Sequence, residues 1–222
     1  MAAGLDDPPT DEEIRLALCK LHETAPGISG LPARAWTALC STAEGFALVR
    51  QIVLHFWDTG TMPAEWESGL LKILFKKGDK SMPGNYRGIM LLDVANKIIA
   101  NAMRTKLQVI KESTAHLDHE PQCGFRSGRG CADASFTLKQ LVRKRREHGI
   151  ETWLLFVDLV KAFDRVPRTG SDDSDGLLWR VLLKQGVPPK LVLLLKALHR
   201  VVLVEFEVDG VMRSPRSSPS SA

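Results

Sequence analysis

The chain has 222 residues, of which 44% are hydrophobic and 25% are charged, and its formal net charge is +4. This composition is typical of a globular protein that is long enough for one large domain or two small lobes. No apolar run approaches the roughly 18 residues needed to span a bilayer. The acidic segment Met1–Thr10 lacks the basic start and apolar core of a secretory signal, so we expect an intracellular protein without a membrane partner.

The positive charge is concentrated in the middle of the chain. Between Lys72 and Lys111 there are nine basic residues and two acidic ones, and a second basic cluster occupies Arg143–Arg146. Such a distribution favours a phosphate-rich partner, although a solvated charged surface would give the same pattern. The sequence therefore permits nucleic-acid binding without establishing it.

The four cysteines show no paired spacing, so no disulfide framework is predicted. Two histidines and two cysteines fall close enough together to suggest zinc: His116, His119, Cys123 and Cys131. The gap between these two cysteines is too long for a usual zinc knuckle, and a loop followed by the start of a helix explains the segment better.

Three helices are predicted in the first 60 residues. Thr10 is a candidate N-cap, and Glu13 three residues later completes a capping box. The segment Pro26–Gly30 is a turn. The predicted helices are Asp11–His22, a second that begins near Pro32, and a third over about Gly45–Trp57.

A hairpin is predicted next. Leu70–Phe75 is the first strand, Lys76–Asn85 is a polar turn rich in Lys, Gly and Pro, and Tyr86–Leu92 is the returning strand. Asp93 caps a long amphipathic helix that follows the hairpin.

A Gly/Arg loop over Gly124–Gly130 precedes another helix that runs to about His148. Its apolar residues at helical spacing are expected to face inward: Ala134, Leu138, Leu141 and Val142.

The run Trp153–Val157 is continuously apolar and ends at Asp158. This pattern predicts a central strand that is buried on both faces. The remaining predicted elements are helices over Leu177–Gln185 and Pro188–His199, a half-exposed strand over Val202–Asp209, and a disordered Ser/Pro/Arg-rich tail from Arg213.

Asp158 carries the strongest chemical signal. A carboxylate at the end of a buried strand is held where a cleft can open, and its hard oxygen ligands suit Mg²⁺. The alternative from the residues alone is that Asp158 caps a short helix beginning near Val160.

The stretch Phe156–Asp164 reads Phe-Val-Asp-Leu, two residues, then Ala-Phe-Asp. It resembles the first catalytic-aspartate motif of reverse transcriptases in the form found in non-LTR (LINE-type) retrotransposons. Further blocks resemble the same family in the same order, and together they cover roughly residues 8–210. These blocks are Pro8–Trp36 (which contains Pro26–Pro32), Pro63–Trp66 through Phe75–Asp79 with Asn85–Ile89, Gln122–Arg126 with Gly128–Gly130, and Leu178–Trp179 with Gly186–Pro188.

The resemblance implies a helix-rich α+β fold, namely the fingers lobe and an incomplete palm of a right-hand polymerase. The implied divisions are a helical lead-in over 1–59, fingers with a basic hairpin over 60–150, a partial palm over 151–210 and a disordered tail over 211–222. The implied activity is RNA-directed DNA polymerisation with Mg²⁺, on an RNA template, a DNA primer and deoxynucleoside triphosphates.

The resemblance also implies roles for individual residues. Asp158 would ligate both Mg²⁺ ions of a two-metal centre, and the backbone carbonyl of Leu159 would complete one coordination sphere. Phe163 would pack beneath the nucleotide sugar and exclude a ribose hydroxyl, with ordinary core packing as the alternative. Arg87 and either Lys76 or Lys77 would grip the triphosphate, with a solvated hairpin as the alternative. The template strand would lie along Gln122, Gly124, Phe125 and Arg126.

The 222 residues lack two later blocks of the family, a Gly-rich segment with Arg-Gln-Gly and an aromatic-x-Asp-Asp hairpin. One side-chain carboxylate cannot hold two divalent ions against their mutual repulsion. We therefore expect an N-terminal fragment that does not polymerise DNA alone. The alternatives are a degenerate, non-catalytic remnant that binds nucleic acid through the basic hairpin and Arg143–Arg146, or an interaction domain without such a partner.

The acidic segment Thr169–Gly176 does not replace the absent carboxylates. A calcium loop needs a glutamate six residues after its glycine, and that position is Leu182. A solvated loop is the better interpretation.

Overall fold

The computed structural model describes residues 6–63, 66, 68–113, 121–126, 128–160, 162–163, 165–168, 175–199, 203–208 and 211–213. The chain divides into two compact units, one formed by Met1–Ile110 with Leu182–Ala222 and the other by Lys111–Val181. We call these the first and the second unit. No helix in the described ranges combines the length and apolar composition that crossing a bilayer requires.

The first unit begins with three helices whose ends follow local sequence signals. The predicted capping box forms, because Glu13 N donates to Thr10 Oγ1 at 3.2 Å and Thr10 N donates to Glu13 Oε2 at 2.8 Å. Gly60 ends the third helix in a left-handed conformation with φ 67°. The helices are α1 (Asp11–Cys19), α2 (Ala33–Leu39) and α3 (Ala43–Thr59).

Helix α1 ends three residues before the predicted His22. The chain then runs in irregular conformation up to Pro26. Proline disfavours helical geometry at the residue before it, so Ala25 does not continue the helix into the turn at Pro26.

Two further helices, α4 (Val94–Ser113) and α7 (Pro189–Leu198), complete the core of the first unit. Lys190 of α7 lies with its Nζ 4.8 Å from the centre of the Trp57 ring in α3, and Asn101 of α4 donates to the carbonyl of Ala17 in α1 at 3.2 Å. Each fully buried large apolar side chain contributes about 1.5–3 kcal/mol to folding. The largest such side chains are Trp57, Phe56, Ile14, Ile98, Ile99, Met103 and Leu191.

A four-stranded mixed sheet belongs to the same unit, with the order β2-β1-β3-β4. Strand β1 (Ser68–Phe75) pairs antiparallel with β2 (Tyr86–Leu91), from Leu70 opposite Leu91 to Phe75 opposite Tyr86. On its other edge β1 pairs in parallel with β3 (Leu203–Val208), and β3 pairs antiparallel with β4 (Val211–Arg213). The predicted hairpin is confirmed.

Strand β4 was not predicted, because the sequence from 211 onward was interpreted as a disordered tail. Val208 lies opposite Val211 across the dipeptide Asp209-Gly210, whose residue types favour a tight hairpin turn. That dipeptide is the signal that identifies the hairpin. Residues 214–222 lie outside the described part of the chain.

The second unit contains α5 (Cys131–Glu147), and α6 (Leu177–Lys184) begins within it. Trp179 of α6 is buried and donates from Nε1 to the carbonyl of Arg168 at 2.7 Å. In α5 no residue is fully buried. Leu138 and Val142 are half-buried, whereas Ala134 and Leu141 are exposed, so the prediction that all four face inward is wrong for the last two.

The prediction of a buried central strand over Trp153–Val157 is wrong. Residues 151–159 adopt no regular structure, and side chains of this run are 48–88% exposed. A strand buried on both faces needs hydrogen-bonding neighbours, and the sheet formed by the described residues does not include this segment. The coarse fold class is confirmed: the described chain is helix-rich α+β with a small mixed sheet.

Candidate functional site

The β1–β2 hairpin has an ordered tip. Lys76 N donates to the carbonyl of Asn85 at 2.8 Å, which extends the strand pairing by one step. The Phe75 and Tyr86 rings meet edge to face, with centroids 5.4 Å apart, and the Tyr86 hydroxyl donates to the carbonyl of Lys80 at 2.8 Å. The Lys80 ammonium lies 5.7 Å from the centre of the Phe75 ring. The tip is therefore closed by side chains from both strands.

Asp79 organises the turn itself. Its carboxylate accepts a hydrogen bond from Ser81 N at 2.8 Å, and its backbone carbonyl accepts one from Asn85 Nδ2 at 2.8 Å. The hydrogen bonds from Ser81 hold the pKa of the Asp79 carboxyl below its usual value. Gly78 adopts φ 93°, and a Cβ there would lie 2.8 Å from Asn85 Nδ2, so the turn requires glycine.

The hairpin brings together the three predicted triphosphate ligands, Lys76, Lys77 and Arg87. All three side chains are exposed, and none makes a hydrogen bond or ion pair with the residues described. Arg87 is opposite Leu74, so it projects from the face of the hairpin opposite to that of the Phe75–Tyr86 pair. Three cations are thus available to an anion at one end of β1 and β2.

In the second unit, the predicted template-binding residues form a compact loop. Gln122 Nε2 donates to the carbonyl of Gly124 at 3.1 Å, and Arg126 Nη1 donates to the carbonyl of Gln122 at 3.3 Å. Phe125 adopts a left-handed conformation with φ 59°, which is uncommon for an aromatic residue. Its ring is 91% exposed. The loop thereby presents an aromatic ring to solvent.

Phe125 and Phe163 meet edge to face, with centroids 6.0 Å apart and planes at 85°. A residue predicted to lie along the template is therefore in contact with the residue predicted to lie beneath the nucleotide sugar. Phe163 is 71% exposed, so it does not pack in a core. Edge-to-face aromatic pairs contribute about 0.5–1.5 kcal/mol beyond the area they bury.

Asp158 and Leu159 are both exposed and precede a turn that includes Val160 and Phe163. Asp158 does not stand at the end of a buried strand, and no helix begins at Val160 in the described segment. The described residues contain no group of three or more His, Cys, Asp or Glu side chains suited to a metal ion. One carboxylate does not complete a magnesium site, so we derive no reaction step through the metal.

The other metal sites that the sequence suggested fall largely outside the described residues. His116 and His119 are not described, while Cys123 is half-buried and Cys131 is exposed. Within the acidic segment Thr169–Gly176 only Asp175 and Gly176 are described.

Sequence reasoning assigned Asp93 only a capping role, whereas the structure gives it a long-range partner. The buried Asp93 Oδ1 accepts from Ser29 N at 3.1 Å and from Ser29 Oγ at 2.5 Å. A Cβ on Gly27 would lie 2.5 Å from Asp93 N. The Pro26–Gly30 turn therefore fixes the junction between β2 and α4, from which the hairpin extends. A single sequence carries no signal for a pair 64 residues apart.

Comparison with known proteins assigns these residue groups to one family. Residues 75–174 match the family described as Reverse transcriptase (RNA-dependent DNA polymerase). This range contains the hairpin tip, the Gln122–Arg126 loop and the Asp158–Phe163 segment. The chain therefore contains part of a reverse-transcriptase domain.

Its relatives define the branch of that family. The chain is 30% identical over 164 residues to the Transposon TX1 uncharacterized 149 kDa protein of Xenopus laevis, an alignment that covers 73% of this chain and 12% of that protein. It is 26% identical over 176 residues to the Retrovirus-related Pol polyprotein from type-1 retrotransposable element R2 of Popillia japonica, with 79% and 22% covered. It is 26% identical over 160 residues to the Probable RNA-directed DNA polymerase from transposon X-element of Drosophila melanogaster, with 68% and 17% covered.

The chain thus spans less than a quarter of the length of these relatives. The resemblance to non-LTR retrotransposon reverse transcriptases is confirmed, and this chain belongs to that family as a part of its polymerase domain.

Proposed function

We propose that this chain forms the nucleotide- and template-binding part of an enzyme that copies RNA into DNA. Its partners would be an RNA template, a DNA primer and deoxynucleoside triphosphates. The observation that carries the proposal is the family match over residues 75–174, because this one stretch holds the cationic hairpin, the template loop and the aspartate segment.

The hairpin would bind the triphosphate. Lys76, Lys77 and Arg87 are exposed, and none of their side chains is used by the described part of the protein. The planar guanidinium of Arg87 suits bidentate contact with phosphate oxygens, whereas either lysine would act as a point charge. The hydrogen bonds of Asp79 hold the turn between these cations in one conformation.

The contact between Phe125 and Phe163 would join template and nucleotide recognition. Phe163 would lie beneath the sugar and disfavour a ribose hydroxyl, while Phe125 would face the template with Gln122, Gly124 and Arg126. Exposed aromatic faces bind bases and sugars without requiring a particular sequence. A copying enzyme needs such tolerance.

Asp158 and the backbone carbonyl of Leu159 would supply hard oxygen ligands for Mg²⁺. When bound, Mg²⁺ neutralises charge on the triphosphate and aligns the reacting oxygens. Further carboxylates are required, and the described residues do not supply them. The polypeptide of these 222 residues is accordingly proposed to bind substrates without extending a primer.

Nucleotide binding to the 222-residue chain tests the hairpin assignment. The change Arg87→Gln should weaken deoxynucleoside triphosphate binding roughly tenfold, because a charge-assisted hydrogen bond contributes about 1.5–3 kcal/mol. Arg34→Gln is the matched control, since Arg34 is an exposed arginine of α2. If the two variants bind the deoxynucleoside triphosphate with equal affinity, the hairpin is not part of the nucleotide site. That result would favour the alternative of a non-catalytic nucleic-acid binder.

Primer extension tests the aspartate assignment. The 222-residue chain should show no extension on an RNA template with Mg²⁺. A longer protein that carries this chain and is active should lose extension on Asp158→Asn. Extension by the 222-residue chain that disappears on Asp158→Asn would show that its metal site is already complete.

A further inference from the structure

Helix α5 carries an exposed stripe that the proposed polymerase site does not use. Phe136, Lys139, Arg143 and Arg146 are separated by three, four and three residues, so they lie along one face of the helix. All four side chains are exposed, and Phe136 is 63% exposed. At 1.5 Å per residue this α5 stripe is about 15 Å long.

A neighbouring face of α5 holds the helix in place. Leu138 and Val142 on that face are half-buried. Arg145 Nε donates to Thr152 Oγ1 at 2.9 Å, and its Nη2 donates to the carbonyl of Glu151 at 3.0 Å. Arg145 is therefore a structural residue of the second unit, and the stripe is left on the solvent side of the helix.

The charges of the stripe are available for a ligand. Lys139 and Arg146 make no side-chain hydrogen bond or ion pair within the described part of the protein. Arg143 Nε lies 3.2 Å from Glu147 Oε1, but both side chains are more than half exposed. Exposed pairs at this helical spacing contribute little to stability, so an incoming anion can displace Glu147 at small cost.

We propose that the α5 stripe binds a single strand of nucleic acid, with phosphates on the three cations and a base stacked on Phe136. An electrostatic track combined with an exposed aromatic ring is how proteins hold single strands without sequence preference. The inference rests on the proposed function, which supplies an RNA strand as partner, and it adds a contact outside the predicted template-binding residues. An acidic protein would find the cations but would not need the ring.

The test measures binding of the 222-residue chain to a labelled oligoribonucleotide of about 16 nucleotides by fluorescence anisotropy. Salt is varied between about 50 and 200 mM, because each phosphate contact on a single strand contributes about 0.7 to the slope of log affinity against log salt. The combined variant Lys139→Gln, Arg143→Gln, Arg146→Gln should lower the magnitude of this slope by about 2. Near 0.1 M salt it should weaken binding on the order of 100-fold.

Two single substitutions separate the ring from the charges. Phe136→Ala should weaken binding roughly tenfold without changing the salt slope, because a lost base stack involves no counterion. Glu147→Gln should strengthen binding a few fold by removing the carboxylate that competes for Arg143. Lys144→Gln is the matched control, since Lys144 is an exposed cation of the same helix turn but lies off the stripe, and it should leave the slope unchanged.

Each outcome decides the proposal. Equal binding of RNA and single-stranded DNA supports a strand site of general use, and preference for RNA supports template contact. The proposal is overturned if the triple variant behaves like Lys144→Gln, if polyglutamate competes as well as RNA, or if the chain binds no RNA. The two proposals can fail separately. If Arg87→Gln weakens nucleotide binding while the stripe variants bind RNA as the original chain does, the proposal for the α5 stripe is overturned and the polymerase proposal stands. All the substituted side chains are exposed, and circular dichroism checks that each variant folds.

Discussion

The Lys106 ammonium lies 3.1 Å from the Glu13 carboxylate, although only 5% of the Lys106 side chain is exposed. The same oxygen, Glu13 Oε2, accepts the backbone N–H of Thr10 in the capping box. The ammonium also lies 5.9 Å from the centre of the Trp57 ring. One carboxylate therefore caps α1 and neutralises a buried cation of α4 beside α3, which ties three helices of the first unit together.

Replacing Glu13 by Gln should destabilise the first unit. The change removes the carboxylate that lies 3.1 Å from a buried ammonium, and breaking a buried pair from one side costs about 3–5 kcal/mol. Glu13 is partly exposed, so solvent screens some of this loss, and we expect about 2 kcal/mol. Urea denaturation followed by circular dichroism measures the difference in free energy of unfolding.

The ion pair between Arg50 and Asp11 is the natural control, because it also joins α1 to a neighbouring helix, in this case α3. Its atoms are 2.6 Å apart, yet both side chains are about half exposed. Arg50→Gln should cost less than about 1 kcal/mol. A loss as large as that of Glu13→Gln would mean that burial does not set the strength of these pairs.

The second prediction concerns the turn that fixes the base of the hairpin. Gly27→Ala places a Cβ 2.5 Å from the backbone nitrogen of Asp93, and backbone cannot move aside as a flexible side chain can. We expect a loss of about 1–3 kcal/mol in urea denaturation. Gly84→Ala is the control, since a Cβ at Gly84 meets nothing within 4 Å. Similar unfolding midpoints for the two variants would show that the close approach of Gly27 does not constrain the fold.

Sequence reasoning succeeded where the deciding interactions are local. The capping box of Thr10 and Glu13 spans three residues, and the hairpin joins strands separated by a short polar turn. It failed where the partner is distant. The parallel pairing of Ser68 with Leu203 and the bond from Ser29 to Asp93 join segments that no spacing rule connects.

The aspartate segment shows why an apolar run is an incomplete signal. Trp153–Val157 has the composition of a buried strand, but composition does not provide the neighbouring strands that bury it. The family of the segment can be recognised from the order of its residues, because the chemistry of the motif requires particular residue types at particular positions. Its local conformation depends on hydrogen-bonding partners, which one run of residues does not reveal.

The third prediction uses the cysteines as probes of burial. Burial raises the pKa of the Cys40 thiol above its usual value, and the nearby Arg15 guanidinium offsets part of this effect. Only the thiolate reacts with alkylating agents, so at about pH 8 Cys40 should react more slowly than the exposed Cys19 and Cys131. Mass spectrometry of iodoacetamide-treated protein over time measures the order. In urea the three rates should converge, and a Cys40 that reacts first in the folded protein would contradict its burial.

At low pH the tip of the hairpin should lose the stabilisation that the Asp79 carboxylate provides. The folded state lowers the pKa of Asp79. The ionised carboxylate therefore stabilises the turn at every pH above the pKa of the same carboxyl in the unfolded chain, which is about 3.9. This contribution is lost as the pH falls through the lowered pKa. NMR titration should show the Ser81 amide unchanged from neutral pH down to about pH 5, then shifting as Asp79 is protonated at a pH below that of an ordinary aspartate.

The variant Ser81→Ala tests the cause of that shift. It removes the side-chain hydrogen bond to Asp79 and keeps the backbone one, so the pKa should move part of the way back toward the ordinary value. An Asp79 carboxyl that titrates at the same pH in both proteins would show that the Ser81 hydroxyl does not contribute. If the Ser81 amide shifted already near neutral pH, a group other than Asp79 would control the turn.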